Sequence, residues 1–244
     1  HRSDLAGSRR TGHRIPRRRT RRDRPVRPEK ITRNPPTVIL STAYLGNVQY
    51  YAKLMSGKAV IDLYEHYRKQ SYRNRCDILT ANGTGPLIVP VLQPSGIKKP
   101  TRDIRIDSSK KWQHQHWQAI VSAYRSSPYF VHYEERFAPF YRRRYDFLVD
   151  LNAELQQTVL DLLRMKPRIA YSESYVQNPD PAEDFRDALS PKPRLQRPDP
   201  AFRAAPYYQV FTERYPFAAN LSIIDLLFCE GPDSTGILRD STVR

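Results

Sequence analysis

The sequence is poor in cysteine, in glycine and in long apolar runs, and each shortage excludes a class of protein. Its two cysteines, Cys76 and Cys229, are too few for a disulfide framework and too far apart for a zinc site with closely paired ligands. Its 9 glycines form neither a G-x-G-x-x-G fingerprint nor a Walker A loop. No apolar run approaches the ~20 residues of a spanning helix. We therefore expect a soluble, cytoplasmic chain without a metal, and its cofactor stays unknown.

The formal net charge of +16 is concentrated at the N-terminus. Residues 1–37 hold 13 Lys and Arg against 3 acidic residues, a net charge of +10, which leaves +6 for the remainder. This Arg-rich and Pro-rich tail is predicted to be disordered. It would bind nucleic acid through phosphates, or an anionic membrane surface. The alternative is a dispensable extension, and its start at His1 without any Met also fits a translated upstream stretch.

The order of predicted elements indicates an α/β fold with a mixed, partly parallel sheet and flanking helices; an α+β fold is the alternative. Apolar and β-branched residues predict strands at 38–43 and 59–64, separated by a helix at 48–55 that Gly57 ends. Further helices are predicted at 112–125, 135–165 and 220–228, and further strands at 76–81, 86–91, 102–107, 168–173 and 207–212.

A single domain is predicted over residues 38–244, with one Pro-rich surface loop at 176–206. That segment carries seven prolines and many charges, and it is longer than most connections between elements. Loops of this length act as lids or are disordered, and the sequence leaves both readings open.

The densest cluster of candidate ligand-binding residues runs from Glu65 to Arg75. It follows a predicted strand, and open α/β sheets bind ligands beyond the carboxyl ends of their strands. Four cations within eight residues suit an anionic ligand such as a nucleotide, a nucleotide-sugar or a carboxylate, because Arg grips such groups bidentately. The nearby tyrosines could stack on a base or a sugar. The alternative is a solvated basic loop.

His116 is the candidate general base, because imidazole titrates near neutrality. It lies between Trp112 and Trp117 on a predicted helix, so the alternative is a histidine packed between aromatic rings. His114 is two residues away and would not share its helix face, which makes the two a poor metal pair. The strand–turn–helix at 38–56 could also present a helix N-terminus to a phosphate.

Several separated segments carry a family resemblance, in order, over about residues 38–230. The segments are Ser41–Leu45, Gln49–Leu54, Lys69–Cys76, Leu87–Val91, Asp103–Ile106, Trp112–Phe130 and Asn220–Pro232. Together they resemble the WbqC-like protein family. Gly46 and Asn47 depart from the pattern of this family, in which one or two prolines are common at that turn.

The resemblance implies a role in O-antigen or other surface-polysaccharide biosynthesis in a bacterium. It implies a transferase that moves an aminoacyl group, such as glycine, or a similar acyl group onto an activated sugar; whether the chain is an enzyme stays open. The expected partner is an anionic nucleotide-sugar or aminoacyl donor, with nucleic acid contacted only through the tail. The alternatives are a non-enzymatic nucleic-acid-binding protein and a structural accessory of a glycan-assembly complex. The candidate catalytic residues are His116 and Lys69, and the candidate substrate-binding residues are Arg73, Asn74, Arg75, Tyr72, Tyr44 and Trp112.

Overall fold

The computed structural model describes residues 37–92 and 98–243. The predicted tail at 1–37 therefore lies outside the described residues, except for Thr37, which begins the first strand. The strands are β1 Thr37–Leu40, β2 Lys58–Ile61, β3 Arg75–Thr80, β4 Gly83–Ile88, β5 Val91–Leu92, β6 Arg105–Ile106 and β7 Arg168–Tyr171. The α-helices are α1 Val48–Met55, α2 Trp112–Tyr124, α3 Phe130–Phe137, α4 Leu148–Leu162, α5 Ile223–Glu230 and α6 Ser234–Asp240.

A three-stranded parallel sheet, in the order β1-β2-β7, forms the centre of the fold. In the central strand, Ala59 pairs with Val38 on one side and with Ile169 on the other. Two small antiparallel pairs, β3-β4 and β5-β6, lie apart from this sheet. The combination confirms the predicted mixed α/β class, because a helix connects the first two parallel strands.

Helix α1 begins where its sequence provides caps. The Asn47 side chain accepts from the amide of Tyr50, as an N-cap does. The amide of Val48 donates to the Leu221 carbonyl, and the amide of Gln49 donates to Asn220 Oδ1. Because these protein acceptors occupy the first N–H groups, the predicted use of this helix end to bind a phosphate is wrong.

The long helix predicted at 135–165 is two helices in the structure. Helix α3 ends at Phe137, a 3₁₀ turn follows at Ala138–Tyr141, and α4 begins at Leu148. Pro139 lies in the turn, and proline lacks the N–H that an α-helix needs. The strand predicted at 207–212 is also wrong, since residues 207–209 have no regular secondary structure and residues 210–212 form a turn.

The Pro-rich segment at 176–206 contains no α-helix and no strand, and the structure describes all of it. Its middle is nevertheless attached to the sheet: the Ile39 amide donates to the Glu183 carbonyl, and the Phe185 amide donates to the Ile39 carbonyl. Phe185 and Leu189 are buried in the hydrophobic core. The segment therefore covers the outer edge of β1.

Helix α5 is the most buried helix, and it carries a carboxylate without a cation beside it in the described part of the chain. Asp225 is fully buried and accepts hydrogen bonds from the hydroxyls of Tyr124 and Tyr207 and from the amide of Gln209. Burial raises the pKa of Asp225 despite these three donors. The hydrogen bonds tie residues 207–209 to the core, which explains how a stretch without a strand is held there.

Candidate functional site

The carboxyl ends of the three parallel strands meet at one edge of the sheet. Ser41 follows β1, Asp62 follows β2 and Ser172 follows β7. Asp62 is fully buried and accepts hydrogen bonds from Ser172 Oγ at 2.9 Å and from Arg186 Nη1 at 2.7 Å. Open α/β sheets place their ligand sites at this edge, so we take it as the candidate site.

Arg186 links this edge to the Pro-rich segment. Its Nη1 bonds Asp62 and the Val176 carbonyl, and its Nε and Nη2 bond the carboxylate of Asp184 at 3.0 and 2.7 Å. Its guanidinium also lies 5.0 Å from the ring centroid of Tyr175. Hydrogen bonds to Asp184 and Asp62 raise the pKa of Arg186, although burial opposes them. The guanidinium is therefore charged and held in one orientation.

A second buried ion pair lies beside it. Arg73 donates to Glu65 through Nε at 2.8 Å and through Nη2 at 2.5 Å, and it is 2% exposed. Its Nη2 also approaches the Arg186 carbonyl at 3.3 Å and Asp187 Oδ1 at 3.5 Å. Burial raises the pKa of Glu65 by more than the neighbouring guanidinium lowers it. The pair is bidentate, because two guanidinium nitrogens each bond one carboxylate oxygen. Lys cannot form this geometry with its single ammonium group.

Two hollows adjoin these ion pairs, and Arg186 lines both. The β1 cavity has a volume of about 10 Å³, and the strand-end cleft has a volume of about 470 Å³. The β1 cavity is lined by Leu40, Ser41, Thr42, Ala43, Gly46, Asn47, Tyr50, Tyr72, Arg73, Phe185, Arg186 and Leu189. The strand-end cleft is lined by Tyr64, Glu65, His66, Arg68, Tyr175, Asp184, Arg186 and Asp187.

His116 belongs to a separate, aromatic network. The hydroxyl of Tyr44 lies 2.9 Å from His116 Nδ1 and 2.9 Å from the hydroxyl of Tyr141. His116 Nε2 lies 3.2 Å from the Ile88 carbonyl, which only accepts, so Nε2 carries the hydrogen and Nδ1 accepts from Tyr44. Burial lowers the pKa of His116 to about 4. Trp112 meets the imidazole edge-on at 5.1 Å. The histidine is therefore neutral and packed between aromatic rings.

The eight predicted site residues do not share one surface. Tyr72 and Arg73 line the β1 cavity, while His116, Tyr44 and Trp112 form the aromatic network. The three others lie elsewhere: Lys69 is exposed, Asn74 is buried and donates to the Val89 carbonyl, and Arg75 pairs with Asp77 at 2.8 Å.

The predicted basic cluster is largely neutralised by carboxylates. Arg68 pairs with Asp187 at 2.9 Å, as Arg73 does with Glu65 and Arg75 with Asp77. An anion would therefore not meet three free guanidinium groups along 68–75. Any anion site here must use a donor that these ion pairs leave over.

The sequence reasoning missed Asp62, Asp184, Asp187 and Arg186. Asp62 lies inside the strand predicted at 59–64, and its place at a strand end follows only from the structure, in which β2 ends at Ile61. Arg186 lies in a Pro-rich stretch without periodicity, and its partner Asp62 is 124 residues away in sequence. Nothing local indicates that pairing.

Two other kinds of site are absent from the part of the chain that the structure describes. No group of three or more His, Cys, Asp or Glu side chains there could hold a metal ion. No helix there has the length and apolar character needed to cross a bilayer.

Comparison with known proteins shows which family this chain belongs to. The model of the WbqC-like protein family matches residues 43–188, which include Glu65, Arg73, His116 and Arg186. The chain belongs to the WbqC-like protein family.

One curated relative of this WbqC-like chain is the uncharacterized protein Rv1507c of Mycobacterium tuberculosis (strain ATCC 25618 / H37Rv). It is 29% identical over 110 residues, which cover 45% of this chain and 47% of the relative. The WbqC-like chain thus aligns with about half the length of that relative. No solved structure matches the WbqC-like chain significantly.

Proposed function

We propose that this WbqC-like chain is a group transferase of surface-polysaccharide assembly, which moves an aminoacyl or similar acyl group onto an activated sugar. The observation that carries the proposal is the strand-end cleft, which lies at the carboxyl edge of the parallel sheet and gathers an imidazole, carboxylates, guanidinium groups and two phenol rings. A cleft of about 470 Å³ has the size of a small-molecule site.

Each group in the cleft has a use in acyl transfer. His66 is exposed there and can accept the proton of an attacking amine or hydroxyl. The rings of Tyr64 and Tyr175 offer apolar faces to a sugar. Arg68 is exposed as well, and its donors other than Nη2, which pairs with Asp187, can bind a phosphate of the activated sugar.

His66 replaces His116 as the proposed acid–base residue. Both ring nitrogens of His116 have hydrogen-bond partners, and its pKa of about 4 leaves it neutral at physiological pH. His116 therefore positions α2 against β4 in this proposal, and Lys69, Asn74 and Arg75 have no part in the reaction.

The test combines binding with catalysis on the 244-residue chain. Thermal shift and calorimetry with a panel of nucleotide-sugars identify the acceptor, and mass spectrometry then follows acyl transfer from aminoacyl donors. His66→Ala should reduce the rate by at least about a hundredfold, which is the low end of the effect of a general base. His114→Ala is the matched control, because His114 is exposed on α2 and should leave the rate unchanged.

Two results would contradict the proposal. One is full transfer activity in His66→Ala. The other is a wild-type chain that binds no nucleotide-sugar but binds an oligonucleotide with steep salt dependence, which would favour the nucleic-acid-binding alternative.

A further inference from the structure

The net charge of residues 38–244 is concentrated in two short segments. Residues 38–244 carry 28 basic and 22 acidic side chains, a net charge of +6. Residues 105–111 and 142–146 together supply six basic and two acidic side chains, so these 12 residues account for +4 of that charge. The other 22 basic and 20 acidic side chains leave +2 for the rest of 38–244.

The two segments lie side by side on the surface. The amide of Ile106 donates to the Asp146 carbonyl at 2.9 Å, and the side chain of Gln113 donates to the Arg143 carbonyl at 2.6 Å. All six cations of the two segments are exposed. We call this surface, residues 105–111 and 142–146, the basic face.

Most cations of the basic face are not neutralised by carboxylates. Arg144 pairs with Asp146 at 3.4 Å, and Arg143 pairs with Glu154. Within the described ranges, the four others form no salt bridge: Arg105, Lys110, Lys111 and Arg142. The segment 68–75 differs, because each of its three arginines has a carboxylate partner. An anionic partner therefore meets unpaired charge at the basic face.

Apolar side chains lie beside these cations. Leu92 of β5 is directly opposite Arg105 of β6, and Arg105 also forms a bridge with Phe147 on the other edge of β6. Directly opposite residues of an antiparallel pair share one side of the sheet, so these three form a row. Leu92 is 53% exposed, and the Arg105 guanidinium lies 4.9 Å from the Phe147 ring centroid. The next pair along, Val91 and Ile106, packs against the core instead.

This combination fits the surface of a bilayer with anionic lipids. Apolar side chains enter the interface of such a bilayer, and each Lys or Arg near its surface strengthens binding by about fivefold. A single-stranded nucleic acid fits less well, because its bases stack on aromatic rings. Leu92 has no ring, and the guanidinium of Arg105 lies over the ring of Phe147.

We propose that the basic face, together with Leu92 and Phe147, is a docking surface for a bilayer that contains anionic phospholipids. Leu92 and Phe147 enter the interface, and the surrounding cations contact the lipid headgroups. The inference goes beyond the proposed transfer reaction and does not depend on it.

The docking surface adjoins the strand-end cleft. The amides of Thr101 and Arg102, just before β6, donate to the carbonyls of Glu65 and Leu63 at 2.8 and 2.9 Å. The Arg102 guanidinium lies 4.8 Å from the ring centroid of Tyr64. Because Tyr64 and Glu65 line the cleft, a chain docked through the basic face holds the cleft near the bilayer.

The test measures co-sedimentation of the 244-residue chain with vesicles of equal parts phosphatidylcholine and phosphatidylglycerol, and with vesicles of phosphatidylcholine alone. The chain should bind the anionic vesicles and not the neutral ones. Lys110→Glu/Lys111→Glu should weaken this binding by at least about twentyfold, because two cations at about fivefold each are lost. Both positions are exposed, so the fold should persist in thermal unfolding.

The matched control for charge is Lys166→Glu/Arg168→Glu. It changes the net charge by the same amount at two exposed positions. They lie beyond the far end of α4, whose 15 residues span about 22 Å. That distance exceeds the screening length in physiological salt, so binding should change by less than about twofold.

Leu92→Gln separates a bilayer from a soluble polyanion. It should weaken vesicle binding by about fivefold, because about half of a leucine side chain is no longer buried in the interface. Leu195→Gln is its control, since Leu195 is 45% exposed in the Pro-rich segment and should leave binding unchanged. An oligonucleotide held by its phosphates would bind Leu92→Gln as tightly as the wild type.

Three results would overturn the proposal. The first is no binding of anionic vesicles by the wild-type chain. The second is an equal effect of the Lys110/Lys111 and Lys166/Arg168 variants, which would place any binding outside the basic face. The third is wild-type vesicle binding by Leu92→Gln together with tighter binding of an oligonucleotide. The transfer assay is run without vesicles, so its failure removes the proposed function and leaves the docking surface in place.

Discussion

Two buried polar networks in this protein use opposite chemistry. At the strand ends, Arg73 with Glu65 and Arg186 with Asp62 form ion pairs beside open volume. In the aromatic network, Tyr44 and His116 form a neutral chain of hydrogen bonds that ends on a main-chain carbonyl. In the neutral chain, Tyr44 and both ring nitrogens of His116 have hydrogen-bond partners, whereas the ion pairs lie beside open volume. Charged groups beside open volume are the better indicator of a ligand.

Stability does not explain why the strand-end region keeps buried charges. Replacing a buried ion pair by apolar residues is often neutral or stabilising, because desolvating the charges offsets their attraction. Recognition of a polar ligand is the explanation we favour. The following predictions separate the two networks, from the largest expected effect to the smallest.

Breaking the Arg73–Glu65 pair should give the largest loss of stability. Arg73→Gln leaves the carboxylate of Glu65 buried without its cation, which should lower the free energy of unfolding by about 3–5 kcal/mol in urea titrations. The neutral pair Arg73→Gln/Glu65→Gln should recover most of that loss. If the single variant were as stable as the wild type, the strand-end network would not depend on this ion pair.

The aromatic network should respond to acid rather than to ligand. Since burial lowers the pKa of His116 to about 4 from its ordinary 6.5, the unfolded chain binds a proton in this range that the folded chain does not. The contribution of the neutral His116 to the free energy of unfolding is complete above pH 6.5. It is lost as the pH falls towards 4, by about 3 kcal/mol in total at about 1.4 kcal/mol per pH unit.

His116→Gln should flatten this part of the stability profile, measured by urea unfolding at a series of pH values. His114→Gln should keep the wild-type slope, because His114 is exposed on the same helix. An unchanged slope in His116→Gln would mean that other groups cause the acid sensitivity.

Removing the central hydroxyl of the aromatic network should have an intermediate effect. Tyr44→Phe leaves His116 Nδ1 and the Tyr141 hydroxyl without their shared partner, which should cost about 1–3 kcal/mol in thermal unfolding. Tyr208→Phe is the control, since Tyr208 is 49% exposed and should change stability by less than about 0.5 kcal/mol. A loss in Tyr44→Phe no larger than in the control would show that the network is not needed for stability.

Removing a surface cation at the cleft should have the smallest effect on stability. The Arg68–Asp187 pair is largely exposed, so Arg68→Gln should change the free energy of unfolding by less than about 1 kcal/mol. It should nevertheless weaken nucleotide-sugar binding, measured by calorimetry, because the proposed phosphate contact is lost. A large stability loss, or unchanged binding, would contradict this division of roles.

Local features of the sequence predicted the first half of the fold well. Residues 48–55 formed the predicted helix because Asn47 caps it, and β1 and β2 lie where β-branched residues cluster. The helix predicted at 135–165 is interrupted at Pro139, although the apolar spacing continues on both sides of it.

The candidate site was only partly predictable. The segment 65–75 does contribute Glu65 and Arg73 to the strand ends, yet the cations were counted as free when each of three has a carboxylate partner. The packed alternative for His116 agrees with the structure. Its exclusion from the strand-end site depends on contacts with Tyr44 and Ile88, which are far away in sequence.

The caps on helix α1 have a consequence for how the protein can be divided. Residues 220 and 221 supply acceptors to the first turn of a helix that begins at residue 48, so a late segment of the chain completes an early helix. A piece trimmed to the family-matched residues 43–188 would lose this closure, together with β1 and the buried α5. The family-matched segment is therefore shorter than the part of the chain that packs together.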